Sequence, residues 1–134
     1  AQYLACYPGD DVVDVIAMDG YLNGTADPNH GSPLATLTQQ LGIVHALAQA
    51  RGKIAAWAET GQLNITSVDA FSQLRQAVQN SGAKIAYMMF WANYEASQYY
   101  VPYNALMSPA VKTNFNNFLT APMVTEGQYP AMYP

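Results

Sequence analysis

The sequence carries little charge. Asp, Glu, Lys and Arg make up 10% of its 134 residues, against about a quarter in an average soluble domain. The chain has five basic and nine acidic side chains, which gives a net charge of −4. The absence of a basic cluster argues against a nucleic-acid partner. Tyr, Asn, Gln, Ser and Thr fill the polar positions instead, and an uncharged polar surface favours neutral ligands.

Long apolar runs and cysteine pairs are also missing. No run reaches the roughly 18 apolar residues of a membrane span, so none is predicted. Cys6 is the single cysteine and excludes an internal disulfide. His30 and His45 lack neighbours at metal-ligand spacing and no Gly-rich phosphate loop occurs, so neither a metal nor a cofactor is expected. The chain starts without Met and shows no signal peptide, so we expect a processed product or a piece of a longer protein.

Apolar residues make up 51% of the chain, which is enough for a core, and the length suits one domain over residues 1–134. Strands are predicted at 12–18, 53–58 and 84–90, each as a nearly continuous apolar run. Such runs are typical of parallel strands that are covered on both faces.

Three amphipathic helices are predicted between and after these strands. Side-chain caps or N-terminal prolines open them at Ser32-Pro33, near Thr66 or Ser67, and at Ser108-Pro109. Strand–helix alternation predicts a parallel α/β sheet with right-handed crossovers. The predicted apolar stripes are, helix by helix, Leu34, Leu37, Leu41, Val44 and Ala48; Val68, Phe71, Leu74 and Val78; and Val111, Phe115, Phe118 and Leu119.

Three parallel strands are too few for a closed barrel, which takes about 250 residues. The two outer strands would have unpaired apolar edges. We therefore expect further strands in a missing segment of the same chain or in another copy. The connections after the strands, such as 20–32 and 92–108, are much longer than those after the helices, and sites are built from such loops.

Chemically informative residues stand where the predicted strands end. Asp19 and Tyr21 follow the first strand, Glu59 the second and Trp91 the third. Because parallel strands share one carboxyl edge, these four side chains are predicted to converge on one cleft. A carboxylate, a phenol and an indole around one cleft are typical of a carbohydrate site, since the indole stacks on a sugar ring and the carboxylate attacks or stabilises the anomeric carbon.

Four motifs in order along the chain carry a family resemblance. Residues 7–21 contain a YPGD turn, a strand led by VD and a closing D-x-Y; residues 59–61 read E-T-G; residues 91–93 read W-A-N; and residues 100–103 read YVPY. This ordered set resembles glycoside hydrolase family 26, the β-mannanases, around the last three barrel strands. Residues 115–119 and 130–133 are also similar to the last helix and terminus of that family.

The resemblance implies that the chain is part of a (β/α)8 TIM barrel, covering strands six to eight. It implies retaining, endo-acting hydrolysis of β-1,4-mannosidic linkages, with β-mannan or a related polysaccharide as the partner. Glu59 would be the nucleophile, Tyr21 would hydrogen-bond it, and Trp91, Asp19 and Tyr94 would bind substrate. A secreted or cell-surface location is expected, since polysaccharide cannot enter cells.

One catalytic residue of the family has no match here. The general acid/base belongs at the end of the fourth strand, in a His-Glu pair, and no His-Glu pair occurs in this chain. We therefore expect the missing N-terminal half of the barrel, in the same chain or another copy, to complete the site. The isolated chain is expected to be inactive.

Other hypotheses stay open from the sequence. A second β-glycanase of the same family, acting on xylan or mixed-linkage glucan, would share these residues. A non-catalytic carbohydrate-binding module would keep the aromatic side chains without paired carboxylates, and a half-barrel could instead oligomerise through its open edges. His30 is more plausibly a solvated loop histidine than a ligand contact. The tyrosines of the third long loop either line distal sugar subsites or pack that loop on itself: Tyr94, Tyr99, Tyr100 and Tyr103.

Overall fold

The computed structural model describes residues 3–25, 29–103 and 107–122. Strands and helices alternate along the chain, as predicted. Two short 3-10 helices, Tyr3–Cys6 and Leu63–Ile65, accompany them. The main elements are β1 (Val15–Asp19), α1 (Leu34–Ala50), β2 (Ile54–Thr60), α2 (Ala70–Ser81), β3 (Met88–Phe90) and α3 (Pro109–Thr120).

The three strands form one parallel sheet in the order β1-β2-β3, which confirms the predicted architecture. β2 is therefore the central strand and shares its hydrogen bonds with both neighbours. The pairing of β1 with β2 shifts by one residue after Met18, and the shift sets Asp19 opposite Glu59. On the other side of β2, Thr60 pairs with Phe90.

Two strands are shorter than predicted. β1 begins at Val15 because the chain before it is a turn, in which Val12 donates its N–H to the carbonyl of Gly9 at 3.4 Å. β3 is confined to Met88–Phe90, although Ala86 already donates to the carbonyl of Ala55 at 2.8 Å. An apolar run predicts where a chain is buried, but the residues that enter the ladder depend on the neighbouring strand.

The helical predictions are correct in their main features. In α1, Leu37, Leu41, Val44 and Ala48 are buried, and Ser108 caps α3 by accepting the N–H of Val111. Three details were wrong. The cap of α1 is Pro33, with no side-chain hydrogen bond, so Ser32 does not cap it; α2 begins at Ala70 rather than near Thr66 or Ser67; and Val68 and Leu119 are exposed.

The helices cover one face of the sheet, and the core lies between them. Trp57 of β2 is fully buried, and its indole N–H donates to the carbonyl of Gly20 at 3.0 Å. Aromatic rings fill the space between β3 and the last two helices, with ring centroids 4.8 to 6.3 Å apart. They belong to Phe71, Phe90, Phe115 and Phe118.

The opposite face of the sheet is open within the described residues. Val15, Tyr87 and Met89 are 39%, 46% and 49% exposed, so the described residues cover the strands on one face. Covering of the second face requires the further strands of the barrel and stays a prediction. The outer edge of β1 is partly occupied by a side chain. The Tyr3 phenol donates to the carbonyl of Ala17 at 2.7 Å and accepts its N–H at 3.1 Å.

Across the described ranges, no helix combines the length and the apolarity needed to cross a membrane.

An asparagine of α3 takes up the first N–H groups of α2. The Oδ1 of Asn114 accepts the N–H groups of Phe71 and Ser72 at 3.0 and 3.2 Å, and its Nδ2 donates to the Ser72 hydroxyl. These N–H groups belong to the first turn, which has no partners within its own helix. The Asn114 amide therefore acts as a cap supplied by another helix.

We predict that Asn114→Ala lowers the free energy of unfolding by about 1–3 kcal/mol, because two partly buried N–H groups lose their acceptor. Urea unfolding of the full-length protein measures this loss. Asn117→Ala, at an exposed position of the same helix, is the matched control and should change the free energy of unfolding by less than about 0.5 kcal/mol. Equal effects of both substitutions would contradict the capping role.

Candidate active site

The carboxyl ends of all three strands meet at one edge of the sheet, as predicted. Asp19, the last residue of β1, is paired with Glu59 of β2. Directly after β3, the N–H of Trp91 donates to the carbonyl of Thr60 at 3.0 Å. Backbone hydrogen bonds thus carry the ladder beyond the strands and fix where Asp19, Glu59 and Trp91 emerge.

Glu59 and Tyr21 are joined by a side-chain hydrogen bond. The Tyr21 phenol donates to Oε2 of Glu59 at 2.9 Å. Their backbones are held together as well, since Gly20 donates to the carbonyl of Glu59 at 2.9 Å and Leu22 to that of Gly61 at 2.8 Å. The contact predicted between these two residues is present, and both side chains are half-buried.

The environment of Tyr21 keeps its phenol protonated. Burial, followed by the hydrogen bond to Glu59 and the negative charge of that carboxylate, raises the pKa of Tyr21 well above its ordinary value. A phenol in this state is a donor at every physiological pH. It therefore directs its proton permanently at Glu59.

Asp19 lies next to this pair at the end of β1. Desolvation, followed by the charge of Glu59, raises the pKa of the Asp19 carboxyl. The folded protein thus favours the protonated form of Asp19 more than the unfolded chain does. Asp19 is close enough to Glu59 to be influenced by its charge, which agrees with its predicted place beside the site.

Two predicted substrate contacts, Trp91 and Tyr94, lie in the loop after β3. The indole of Trp91 is 38% exposed and the side chain of Tyr94 is 62% exposed. The Tyr94 hydroxyl donates to the Gln98 side chain within the same loop. Both rings are accessible to a ligand, and their contact with sugar stays a prediction.

Two rings that sequence reasoning did not place at the site pack against Tyr21. His30 and Tyr100 have their ring centroids 5.3 and 5.5 Å from that of Tyr21. His30, interpreted from the sequence as a solvated loop residue, lies in a loop but is half-buried. Tyr100 is 4% exposed, which favours packing over a distal subsite for this tyrosine. No sequence signal links residues this far apart in the chain.

A buried glutamine, Gln62, also went unrecognised in the sequence. It is 2% exposed, and its Nε2 donates to the carbonyl of Asn23 at 2.9 Å and to the Ser67 hydroxyl at 3.1 Å. Its Oε1 accepts the N–H of Ser67 at 2.8 Å. One satisfied amide therefore ties the loop after β1 to the loop after β2, on both sides of the Tyr21–Glu59 pair.

The site has no metal-ligand character. Among residues 3–25, 29–103 and 107–122, no three His, Cys, Asp or Glu side chains are grouped to hold a metal ion. A separate groove of about 370 Å³ lies beside α3 and is lined by other residues than those of the predicted site. Its lining consists of Pro102, Tyr103, Lys112, Phe115 and Asn116.

Comparison with known proteins gives a family match that covers nearly the whole chain. Residues 1–120 match the family model described as glycosyl hydrolase family 26. The chain belongs to this family. Family 26 membership confirms the resemblance found in the sequence motifs, and the site residues described above all lie within the matched range.

Solved family 26 structures are similar to the chain in fold and sequence. A β-mannanase from Bacteroides ovatus has a TM-score of 0.76 and 25% identity over 92% of this chain and 34% of its own. A family 26 protein from a Muricauda species has a TM-score of 0.75 and 34% identity over 99% of this chain and 36% of its own. The described fold is thus the corresponding part of a TIM barrel, with three of its βα units.

A mannan endo-1,4-beta-mannosidase from Bifidobacterium adolescentis is 32% identical over 103 residues. This alignment covers 69% of the chain and 10% of that protein. The chain therefore spans about a tenth of this relative and about a third of the solved family 26 chains above.

The Asp19 carboxyl gives a pH-dependent prediction. Because its pKa is raised on folding, the charged form costs stability, and this cost grows as the pH rises from the ordinary carboxyl value through the raised one. We expect Asp19→Asn to raise the unfolding temperature at pH 7 and to change it much less near pH 3, where most of the carboxyl is protonated in both states. Calorimetry at the two pH values measures the difference. A stabilisation of equal size at both would rule out ionisation as its cause.

Proposed function

We propose that this chain forms strands six to eight of a retaining endo-β-1,4-mannanase and supplies its nucleophile, Glu59. The supporting observation is the position of Glu59. It is the penultimate residue of the central parallel strand, is half-buried and accepts a hydrogen bond from Tyr21. The names of the relatives from Bifidobacterium adolescentis and Bacteroides ovatus, a mannosidase and a mannanase, support mannan as the substrate.

In the proposed reaction, a carboxylate oxygen of Glu59 attacks the anomeric carbon of the sugar and forms a covalent glycosyl-enzyme. The bond to the leaving oxygen breaks as a second carboxylic acid protonates that oxygen. The same second group then takes a proton from water, which attacks the anomeric carbon and releases Glu59. Two displacements retain the configuration, and the two carboxyl groups of such enzymes lie about 5 to 5.5 Å apart.

Tyr21 orients the nucleophile in this mechanism. Its hydrogen bond engages Oε2 of Glu59, so we assign the attack to Oε1. The phenol stays protonated because its pKa is raised, and it stabilises the carboxylate without taking its charge away. A nucleophile held in one rotamer reaches the anomeric carbon with little further loss of entropy.

The remaining roles follow the positions of the other residues. Trp91 offers an accessible indole at the same edge as Glu59 and is assigned to stack on the sugar ring, with Tyr94 further along the loop. Asp19 is assigned to a sugar hydroxyl beside Glu59. The second carboxylic acid belongs to the N-terminal half of the barrel, in the same chain or another copy. We propose a location outside the cell or on its surface, because a polymeric substrate cannot enter the cell.

We predict that Glu59→Ala lowers kcat of the full-length enzyme on mannan by about 10⁴-fold or more, because the covalent step loses its nucleophile. Binding of mannan oligosaccharides, measured by calorimetry, should persist. A polysaccharide panel that includes xylan and mixed-linkage glucan identifies the preferred substrate. NMR of the first-formed product should show retained anomeric configuration.

The matched control is Glu95→Gln, which changes an exposed carboxylate that accepts a hydrogen bond from Ser97 in the loop after β3. Its kcat should stay within about twofold of the wild-type value. Full activity of the Glu59→Ala variant would end the assignment of the nucleophile. Carbohydrate binding without any hydrolysis by the wild-type protein would favour a binding module.

We also predict that the homogeneous 134-residue chain does not hydrolyse mannan by itself. The chain contains no His-Glu pair, so the proposed general acid/base is not among its residues, and general acid–base catalysis contributes about 10²–10⁴-fold. Reducing-sugar release measured with the purified chain, next to the full-length enzyme at equal molarity, tests this expectation. Turnover by the isolated chain would show that it contains a complete site.

A further inference from the structure

Two aromatic rings from two different loops, His30 and Tyr100, pack against the Tyr21 phenol that contacts Glu59. The centroids of Tyr21 and His30 are 5.3 Å apart, those of Tyr21 and Tyr100 are 5.5 Å apart, and those of His30 and Tyr100 are 6.2 Å apart. The rings are tilted by 46° to 54°, an arrangement that aromatic pairs favour. Tyr21 and His30 belong to the loop after β1, whereas Tyr100 comes from the loop after β3.

The backbone of Tyr100 is fixed by a side chain of its own loop. The Oδ1 of Asn93 accepts the N–H groups of Tyr100 and Val101 at 2.7 and 3.1 Å, and its Nδ2 donates to the carbonyl of Val101 at 2.8 Å. Next to it, Tyr99 donates its N–H to Oδ1 of Asn64 at 3.3 Å and accepts the Asn64 N–H at 2.8 Å. The loop after β3 is therefore tied to the segment that follows Glu59.

The ring of Tyr100 lies directly on Gly61, two residues after Glu59. A Cβ at Gly61 would be 2.8 Å from Cδ1 of Tyr100, and Gly61 has a φ of +140°, which favours glycine. At its far end, the Tyr100 hydroxyl lies 3.3 Å from Nε2 of His30. Tyr100 thus spans from the backbone behind the nucleophile to the loop that carries Tyr21.

His30 lies against Tyr21, and the backbone on either side of the two residues is paired by hydrogen bonds. Ser32 donates its N–H to the carbonyl of Tyr21 at 2.7 Å, and Asn23 donates to the carbonyl of Ser32 at 3.0 Å. Neither His30 nor Tyr100 forms a hydrogen bond with Glu59 among those recorded for the described residues. His30 therefore contacts the Tyr21–Glu59 pair through Tyr21, whereas Tyr100 contacts it through Tyr21 and through Gly61.

From these contacts we infer that Tyr100 and His30 are positioning residues, which hold the Tyr21 phenol on Glu59 and connect the loop after β3 to the nucleophile. This inference rests on the proposed function for its catalytic consequence. Removing the Tyr100 ring opens space beside Tyr21, so the phenol leaves the geometry in which it donates to Glu59. The loss then appears in kcat rather than in KM, since substrate contacts are unchanged.

The test is a double-mutant cycle in the full-length enzyme. Tyr21→Phe should lower kcat on mannan by about 10- to 100-fold, the range of one hydrogen bond to a charged group. Tyr100→Ala should lower it by a similar factor, and adding Tyr100→Ala to Tyr21→Phe should cost less than about threefold more. Tyr100→Phe, which keeps the ring, should recover most of the activity.

Tyr7→Ala is the matched control, because Tyr7 is a half-buried tyrosine at the opposite end of the sheet. The Tyr7→Ala variant should keep its kcat even where it loses stability, which separates loss of positioning from loss of stability. Where Tyr100→Ala fails to fold, Tyr100→Leu and His30→Ala replace it in the same cycle. Fully additive losses in Tyr21→Phe and the Tyr100 variant would overturn the inference, as would a Tyr7→Ala loss of the same size in kcat.

A crystal structure of the Tyr100→Ala or Tyr100→Leu variant tests the positioning without any activity. The distance from the Tyr21 hydroxyl to Oε2 of Glu59 is 2.9 Å in the wild-type chain and should exceed about 3.5 Å in the variant. An unchanged distance overturns the inference. Inactivity of the wild-type enzyme on every glycan, or full activity of Glu59→Ala, would instead overturn the proposed function. The Tyr21–Glu59 distance in the variant would still test whether Tyr100 positions Tyr21.

Discussion

The parallel pairing of β1 with β2 is the constraint on which the site depends. The one-residue shift after Met18 sets Asp19 opposite Glu59 and is followed by the hydrogen bond from Gly20 to the Glu59 carbonyl. Tyr21 lies two residues after the end of β1, and its phenol donates a hydrogen bond to the Glu59 side chain. A one-residue slip in this register would move every following side chain to the other face of the sheet. The Tyr21–Glu59 pair therefore depends on the register of β1 against β2.

Side-chain amides, buried at Gln62 and half-buried at Asn93 and Asn64, hold the loops after the strands. Gln62 joins the loops after β1 and β2, Asn93 shapes the loop after β3, and Asn64 ties that loop to the segment behind Glu59. Amides suit this purpose because each supplies both donors and an acceptor without a charge that must be desolvated.

Sequence reasoning predicted the fold well because its signals are local. Continuous apolar runs and the Ser108-Pro109 start of α3 are each read within a few residues, and both coincide with element positions in the structure. The Tyr21–Glu59 pair was predictable because the parallel strands share an edge and the ordered motifs name the residues.

The parts of the site that were not predicted depend on long-range packing. His30 and Tyr100 are 70 residues apart and meet only because both loops fold over Tyr21. Gln62 looks like an ordinary loop residue in the sequence, and only its burial shows its role. The predicted starts of β1 and β3 were wrong for a related reason, since hydrogen bonds to the neighbouring strand rather than apolar character decide where a strand begins.

The Tyr3 phenol on the outer edge of β1 has a consequence for assembly. It occupies both backbone groups of Ala17, which are the groups that an adjacent parallel strand would use. A strand that pairs with β1 on this side must therefore displace the Tyr3 phenol from the backbone groups of Ala17. Before that displacement, the phenol protects the edge from unspecific pairing with other chains, which is the hazard of an exposed strand.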